Sequence, residues 1–211
     1  GSFYVPTCVF IDCEFLRTLD RDNILSGYAE MIKHGLISSM EHYASVMLYD
    51  IDTMNYGYLN SLVAQSVAVK ERIVEEDPKE KGIRKALNFG HTIGHAIEKL
   101  KNFTLSHGAC VALGTVAAAY ISWQRGMLDE DEFYEIRDMN VGFGLPISFD
   151  SISAEDIVSV TKSDKKMDRC EGRKSCTSKI LSFYPIYPNA HQPQGKARGK
   201  GTWIRLRHYS R

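Results

Sequence analysis

The stretch that leaves this chain least choice of fold is HGACVALGTVAAAYISWQRG, residues 107 to 126. From Cys110 to Trp123 it is apolar apart from Gly114, Thr115 and Ser122. That run is too short to span a bilayer, so it reads as a helix buried inside protein. Its alanines and glycines keep the surface small and let neighbouring helices approach closely. His107 opens the helix, and the preceding Ser106 is suited to cap it.

The rest of the chain supplies the neighbours. DNILSGYAEMIKHGLISS has Asp22 as a candidate N-cap and apolar residues at Leu25, Tyr28, Ile32 and Leu36. YLNSLVAQSVAVKERIVEED places Leu59, Leu62, Val63, Val67, Ile73 and Val74 along one stripe, and Pro78 closes it. Two further helices fit residues 130–141 and 154–162, with the break at FGLP, residues 143–146. The only strand-like run is CVFID, residues 8–12. The expected fold is mainly α.

Of the chain's 211 residues, 44% are hydrophobic and 25% charged, as in ordinary globular domains. The zero net charge hides an asymmetry. Residues 177–211 hold seven Lys and Arg and no acid, so the first 176 carry 19 basic and 26 acidic groups, a net of −7. A mildly acidic body argues against a nucleic-acid surface. The basic tail has three of the six prolines and reads as a disordered or aberrant terminus. Five cysteines without a CxxC pair, and no signal-peptide pattern, suit a reducing cytoplasm.

Several polar residues interrupt this apolar scheme. LNFGHTIGHAIE, residues 87–98, puts His91, His95 and Glu98 on one helical face. Arg84 and Asn88 precede them, and Arg84, Asn88, His91 and His95 form an i, i+4, i+7, i+11 stripe. Glu30 and Lys33 lie within GYAEMIKHG, and Lys70 within VAVKERIV. Charges placed so must be paired, metal-bound or in a wet cleft. Two metal sites are open on these residue types: a local one from His91, His95 and Glu98, or one shared between helices, such as Glu30, His91 and His107. Glu98, beside Lys99 and Lys101, reads more readily as a solvated ion-pair partner, and His34 and His42 read as structural.

SGYAEMIKHGLI, EEDPKEKGIRKALNFGHTIGHAIE and SHGACVALGTVAAAY together resemble the C-terminal domain of 3-dehydroquinate synthase, an enzyme of the shikimate pathway. The resemblance runs from about Gly1 to Cys176. It implies a helical domain of the dehydroquinate synthase-like, glycerol dehydrogenase-like architecture over residues 16–176. The end of a nucleotide-binding domain, one residual strand, would precede it in residues 1–15, with a basic tail at 177–211. It further implies zinc or cobalt held by Glu30, His91 and His107, with His95 and Glu80 in proton transfer. Lys33, Lys70, Arg84, Asn88 and Lys165 would grip the substrate's phosphate and carboxylate. The implied substrate is 3-deoxy-D-arabino-heptulosonate 7-phosphate, a phosphorylated sugar acid, and NAD is the implied hydride carrier. Arginine forks onto a carboxylate or phosphate and lysine supplies a point charge, so the residue types suit such an anion. The intact family member is expected to be a cytoplasmic homodimer without nucleic-acid or membrane partners.

Three departures stand beside the resemblance. No glycine-rich loop for NAD occurs in these residues, so its site is expected mostly in a domain upstream. Ala109 stands where the family usually has glutamate, which removes a candidate orienting partner for a ligand. The basic tail replaces the usual β-hairpin and closing helix, as a frameshifted or miscalled C-terminus would. An incomplete chain without turnover of its own is the expectation. The competing readings are a related sugar-phosphate cyclase, a metal-dependent polyol dehydrogenase, and a non-catalytic helical module.

Overall fold

A computed structural model describes residues 7–163. Lys165 and the basic tail from 177 lie outside the described residues. The chain forms seven α-helices over this range: α1 (Arg21–Ser38), α2 (Met40–Met47), α3 (Tyr56–Glu76), α4 (His91–Leu100), α5 (His107–Gln124), α6 (Glu130–Gly142) and α7 (Ala154–Ser163). Short 3-10 turns occupy Cys13–Thr18 and Ile83–Asn88.

The apolar run is the buried helix that its composition predicts. Cys110, Val111, Ala112, Leu113, Val116, Ala118 and Ala119 of α5 are all buried, and Ser106 caps it by accepting from the Ala109 amide at 3.3 Å. α4 packs most extensively on α5, α1 lies against another side of it, and α6 against its later turns. α2 and α3 pack on α1, and α7 covers α4. Tyr28, Leu62, Ile73 and Phe89 anchor the main core, while Ile97, Cys110 and Leu113 form a smaller one on the α4–α5 side.

Several local expectations need correction. Asp20, not Asp22, caps α1, because its carboxylate reaches the Asn23 amide at 2.9 Å. Ser39 ends α1 in extended backbone and caps a separate α2, where the sequence pattern offers no second helix. On α3 the buried face carries Leu59, Leu62, Ser66 and Ile73, whereas Val67 is 41% exposed. The stripe from Arg84 to His95 is not one helix. Gly90 sits at φ 77, which splits it into a 3-10 turn and α4. A Cβ at Gly90 would also meet the Val111 carbonyl of α5 at 2.8 Å.

The residual strand at 8–12 is not formed among the described residues. Asp12 is extended, but Val9, Phe10 and Ile11 are exposed and a strand needs a neighbour to pair with. The helices around 130–141 and 154–162 are present, and the FGLP break holds Gly144 at φ 73. Among the described residues no helix is long and apolar enough to cross a membrane.

Candidate metal centre

Three helices bring the site together. α1 contributes Glu30 from its middle, α4 contributes His91 at its first residue, and α5 contributes His107 at its own first residue. α4 and α5 can place these ends side by side because small residues line their contact. A Cβ at Gly94 would lie 2.7 Å from the Cys110 carbonyl oxygen, and one at Gly114 would overlap the carbonyl of Gly90. The helices therefore touch backbone to backbone.

Glu30 Oε1 lies 3.3 Å from His91 Nε2 and 3.4 Å from His107 Nε2. That oxygen is buried and has no hydrogen-bond partner. Oε2 of the same carboxylate accepts from Lys33 Nζ at 2.5 Å. Burial resists ionisation of Glu30, but His91 beside it and the Lys33 ammonium outweigh burial and hold the carboxyl below the usual carboxylate range. An ionised carboxylate oxygen, two imidazole nitrogens and no competing hydrogen bond at Oε1 are a donor set that fits a divalent transition metal.

His95, one turn after His91, completes a second arrangement. One donor atom from each of His91, His95 and His107 lies within 4.8 Å of the others, and the His95 ring is 5.3 Å from His91 and 5.7 Å from His107. Two overlapping sets thus share His91 and His107. The Glu30 set has the stronger physical claim, because it gives a buried, orphaned oxygen its partner.

The predicted substrate residues divide into two groups. Lys33 is 3% exposed on α1, and burial first, then the nearby charge of Lys70 on α3, pushes its ammonium pKa down against the pull of Glu30. Glu80 and Asn88 meet directly, with Asn88 Nδ2 donating to Glu80 Oε1 at 2.5 Å. Arg84 turns to the Pro78 carbonyl at 3.0 Å. His34 and His42 each meet α3, with Nδ1 2.8 Å from Ser66 Oγ and 3.1 Å from Gln65 Oε1 respectively.

Asp77 and the true partner of Glu98 escape a sequence reading. Asp77 gathers the amides of Lys81, Gly82 and Arg84 at 3.0, 2.6 and 3.2 Å, folding the loop that carries Glu80. Glu98 is not a solvated partner of its lysine neighbours. Its side chain is 19% exposed, and Oε1 lies 3.6 Å from His107 Nδ1. The face that His91, His95 and Glu98 share is visible in the sequence, but not that α5 starts opposite its end.

Residues 27–167 match the family model described as 3-dehydroquinate synthase C-terminal. The chain belongs to that family. It is 79% identical over 125 residues to a 3-dehydroquinate synthase of Parabacteroides distasonis, covering 58% of this chain and 35% of the relative. It is 40% identical over 169 residues to the enzyme of Thermoanaerobacter pseudethanolicus, covering 79% of this chain and 48% of that relative. The chain thus spans between a third and a half of the length of these curated relatives.

Two solved structures share its fold. The 2-epi-5-epi-valiolone synthase ValA of Streptomyces hygroscopicus subsp. jinggangensis, with NAD+ and Zn2+ bound, aligns at a TM-score of 0.62 and 20% identity. That alignment covers 72% of this chain and 43% of ValA. A 2-deoxy-scyllo-inosose synthase complexed with carbaglucose-6-phosphate, NAD+ and Co2+ aligns at 0.61 and 20% identity. There the shares are 86% of this chain and 56% of the synthase.

Proposed function

We propose that this chain supplies the metal- and substrate-binding part of a 3-dehydroquinate synthase. The reaction is conversion of 3-deoxy-D-arabino-heptulosonate 7-phosphate to 3-dehydroquinate and phosphate, a carbon–oxygen lyase step in the shikimate pathway. The observation that carries the reading is the meeting of Glu30, His91 and His107 from three helices around a buried Glu30 oxygen without a hydrogen-bond partner. Three protein ligands leave a coordination position free for substrate. When bound, Zn2+ or Co2+ supplies the Lewis acidity that polarises a substrate hydroxyl.

The chain's own groups do the rest. His95, beside both imidazole ligands, accepts a proton on a ring nitrogen. Lys33 and Lys70 form a cationic pair across α1 and α3 that favours an anionic substrate over a neutral polyol. Glu80 and Asn88, already joined, present a carboxylate and an amide from one loop, with Glu80 as the second proton carrier. Arg84 adds a guanidinium to the same loop, and Lys165 is assigned to the substrate anion on resemblance.

No glycine-rich turn suited to a dinucleotide pyrophosphate occurs among the described residues. NAD is therefore proposed on the family resemblance, held by other residues, and no step is derived through it. The same reading carries the helical domain over 16–176, a homodimeric intact enzyme and a cytoplasmic setting.

Metal content per chain, by elemental analysis, tests the reading. One equivalent retained in His95→Ala and lost in Glu30→Ala, His91→Ala and His107→Ala is expected. Loss with His95→Ala and retention with Glu30→Ala would instead establish the three-histidine set. A folded wild-type chain that takes up no zinc or cobalt would reject the metal site in favour of a non-catalytic helical module.

A further inference from the structure

The two imidazoles that meet Glu30 have different partners behind them. His91 Nδ1 is 3.1 Å from the carbonyl oxygen of Phe89, a neutral acceptor on its own chain segment. His107 Nδ1 is 3.6 Å from Glu98 Oε1, a carboxylate delivered by another helix. At that distance the two atoms are in contact but short of a closed hydrogen bond. The close approach at Gly94 and Cys110 makes it possible, since Glu98 stands one turn beyond Gly94 on α4 and His107 one turn before Cys110 on α5.

Two further observations place the Glu98 charge here and not in solvent. The side chain is 19% exposed, and the Cys110 thiol is pushed up to about 11, by burial first and then by the nearby Glu98. Lys101 donates to the Asp150 carbonyl at 2.7 Å instead. Ala109, two residues after His107, offers no carboxylate of its own.

The geometry points to Glu98 as the positioning residue for His107. It fixes the tautomer with the proton on Nδ1 and strengthens Nε2 as a donor toward the point shared with Glu30. An imidazole that gives one nitrogen to a cation must carry its proton on the other, and a carboxylate facing that proton fixes the ring and raises its basicity. Glu98 does this from the Nδ1 side, away from the point where His107 Nε2 meets Glu30 Oε1, so it orients a ligand without being one. The inference rests on the metal-site reading above.

Competition between the full chain and a chromophoric chelator for Zn2+ or Co2+ tests it in wild type, Glu98→Gln, Glu98→Asp and Glu98→Ala. Expected is a metal affinity weaker by about 10- to 100-fold in Glu98→Gln and Glu98→Ala, on the scale of other orienting partners. Saturation should still give one equivalent, Glu98→Asp should recover part of the loss, and thermal unfolding of the metal-free chain should be unchanged. The Co2+ absorption bands should shift in Glu98→Gln, which a merely structural role would not produce. An affinity within twofold of wild type in Glu98→Gln overturns the positioning role while leaving the metal site intact. Loss of the bound equivalent at saturation makes Glu98 a ligand and also overturns it. No metal on the wild-type chain removes both readings together. Nitrogen-15 spectra of the zinc-loaded wild type test the same point without any Glu98 variant: His107 protonated on Nδ1 is expected, and protonation on Nε2 is incompatible with the role.

Discussion

Glu30 and Lys33 share a hydrogen bond of 2.5 Å that uses only one of the two carboxylate oxygens, and the other is left to face the histidines. One helical turn of α1 therefore serves two purposes. Lys33 fixes the carboxylate's orientation, and Glu30 compensates an ammonium that is 3% exposed. The dependence is unequal. Removing Glu30 leaves a buried cation alone, which costs about 3–5 kcal/mol. Removing the ammonium leaves a carboxylate whose side chain is 29% exposed and can take water on Oε2. Urea unfolding of the metal-free chain should show Glu30→Ala far more damaging than Lys33→Met, with the double variant recovering most of the difference. Equal losses in both single variants would refute the asymmetry.

Bound metal should stabilise the fold by mass action. At a free zinc concentration about 100-fold above Kd, the gain is about 2.7 kcal/mol. Thermal unfolding with and without zinc measures it directly. The gain should vanish with a chelator and be absent in His91→Ala, whose Nε2 lies 3.3 Å from Glu30. A zinc-dependent shift that survives His91→Ala would place the stabilising ion elsewhere.

Packing of α4 on α5 is the mechanical basis of the site, and two glycines give opposite expectations. Gly114→Ala drives a methyl into the Gly90 carbonyl at the start of α4, where only backbone could move aside. The expected cost is at least the roughly 1–3 kcal/mol typical of overpacking, with metal affinity falling as His91 is displaced. Gly27→Ala, exposed on α1 with nothing within 4 Å, should instead stabilise by about 0.5–1 kcal/mol and leave affinity unchanged. Denaturation midpoints and zinc titrations of the pair check both halves.

How much of this is legible in the sequence depends on range. Most helices of the body, the buried α5 and its Ser106 cap follow from patterns within a single helix length, whereas α2 does not. His91 and His95 are neighbours because α4 is a helix, which spacing alone shows. That Glu30 comes from α1 to meet them follows from no spacing, since Glu30 and His91 stand far apart in the chain; residue types leave the trio as one of two open sets, and only the family resemblance selects it. Glu98 escapes for the opposite reason. Its sequence neighbours Lys99 and Lys101 suggest a solvated face, and the partner that matters, His107, is brought in by a turn between two helices. Gly90 breaks the expected Arg84–His95 stripe because periodicity ignores a backbone conformation that ends a helix.

His34 should make the fold sensitive to mild acid. Burial first, then Lys33, pushes its imidazole down to about 4, with Lys70 of α3 and His42 of α2 acting in the same direction and Glu30 opposing. Its ordinary value is about 6.5. The unfolded chain therefore binds the proton first, so the His34 contribution is full above about pH 6.5 and is lost as pH falls toward about 4. The loss is on the order of 3 kcal/mol. Urea midpoints of the metal-free chain, followed from neutral pH down into that acid window, should slope less in His34→Gln than in wild type. Parallel slopes would mean that other groups carry the acid response.

Asp77 holds the loop that brings Glu80 to Asn88, so its loss should be felt locally and chemically rather than globally. The carboxylate accepts three amides, from Lys81, Gly82 and Arg84. The Gly82 amide is the main cause that holds Asp77 below the usual carboxylate range, against desolvation and with the Lys81 and Arg84 amides adding to it. Glu80 meanwhile sits at φ 53, a backbone state that a non-glycine residue keeps only when its surroundings impose it. In Asp77→Ala the loop is free to relax, and the Glu80–Asn88 bond loses its support. Hydrogen exchange should then accelerate at the amides of Lys81, Gly82 and Arg84 while α4 and α5 stay protected. Zinc affinity should not change, because none of the three proposed ligands lies on this loop. The sign of the acid response follows from the depressed carboxyl: anchoring is complete above the ordinary aspartate range and is lost as pH falls below it, so acid should release the same amides in the wild type. Unchanged exchange at those amides in Asp77→Ala would show that the loop is held by Arg84 and Pro78 instead.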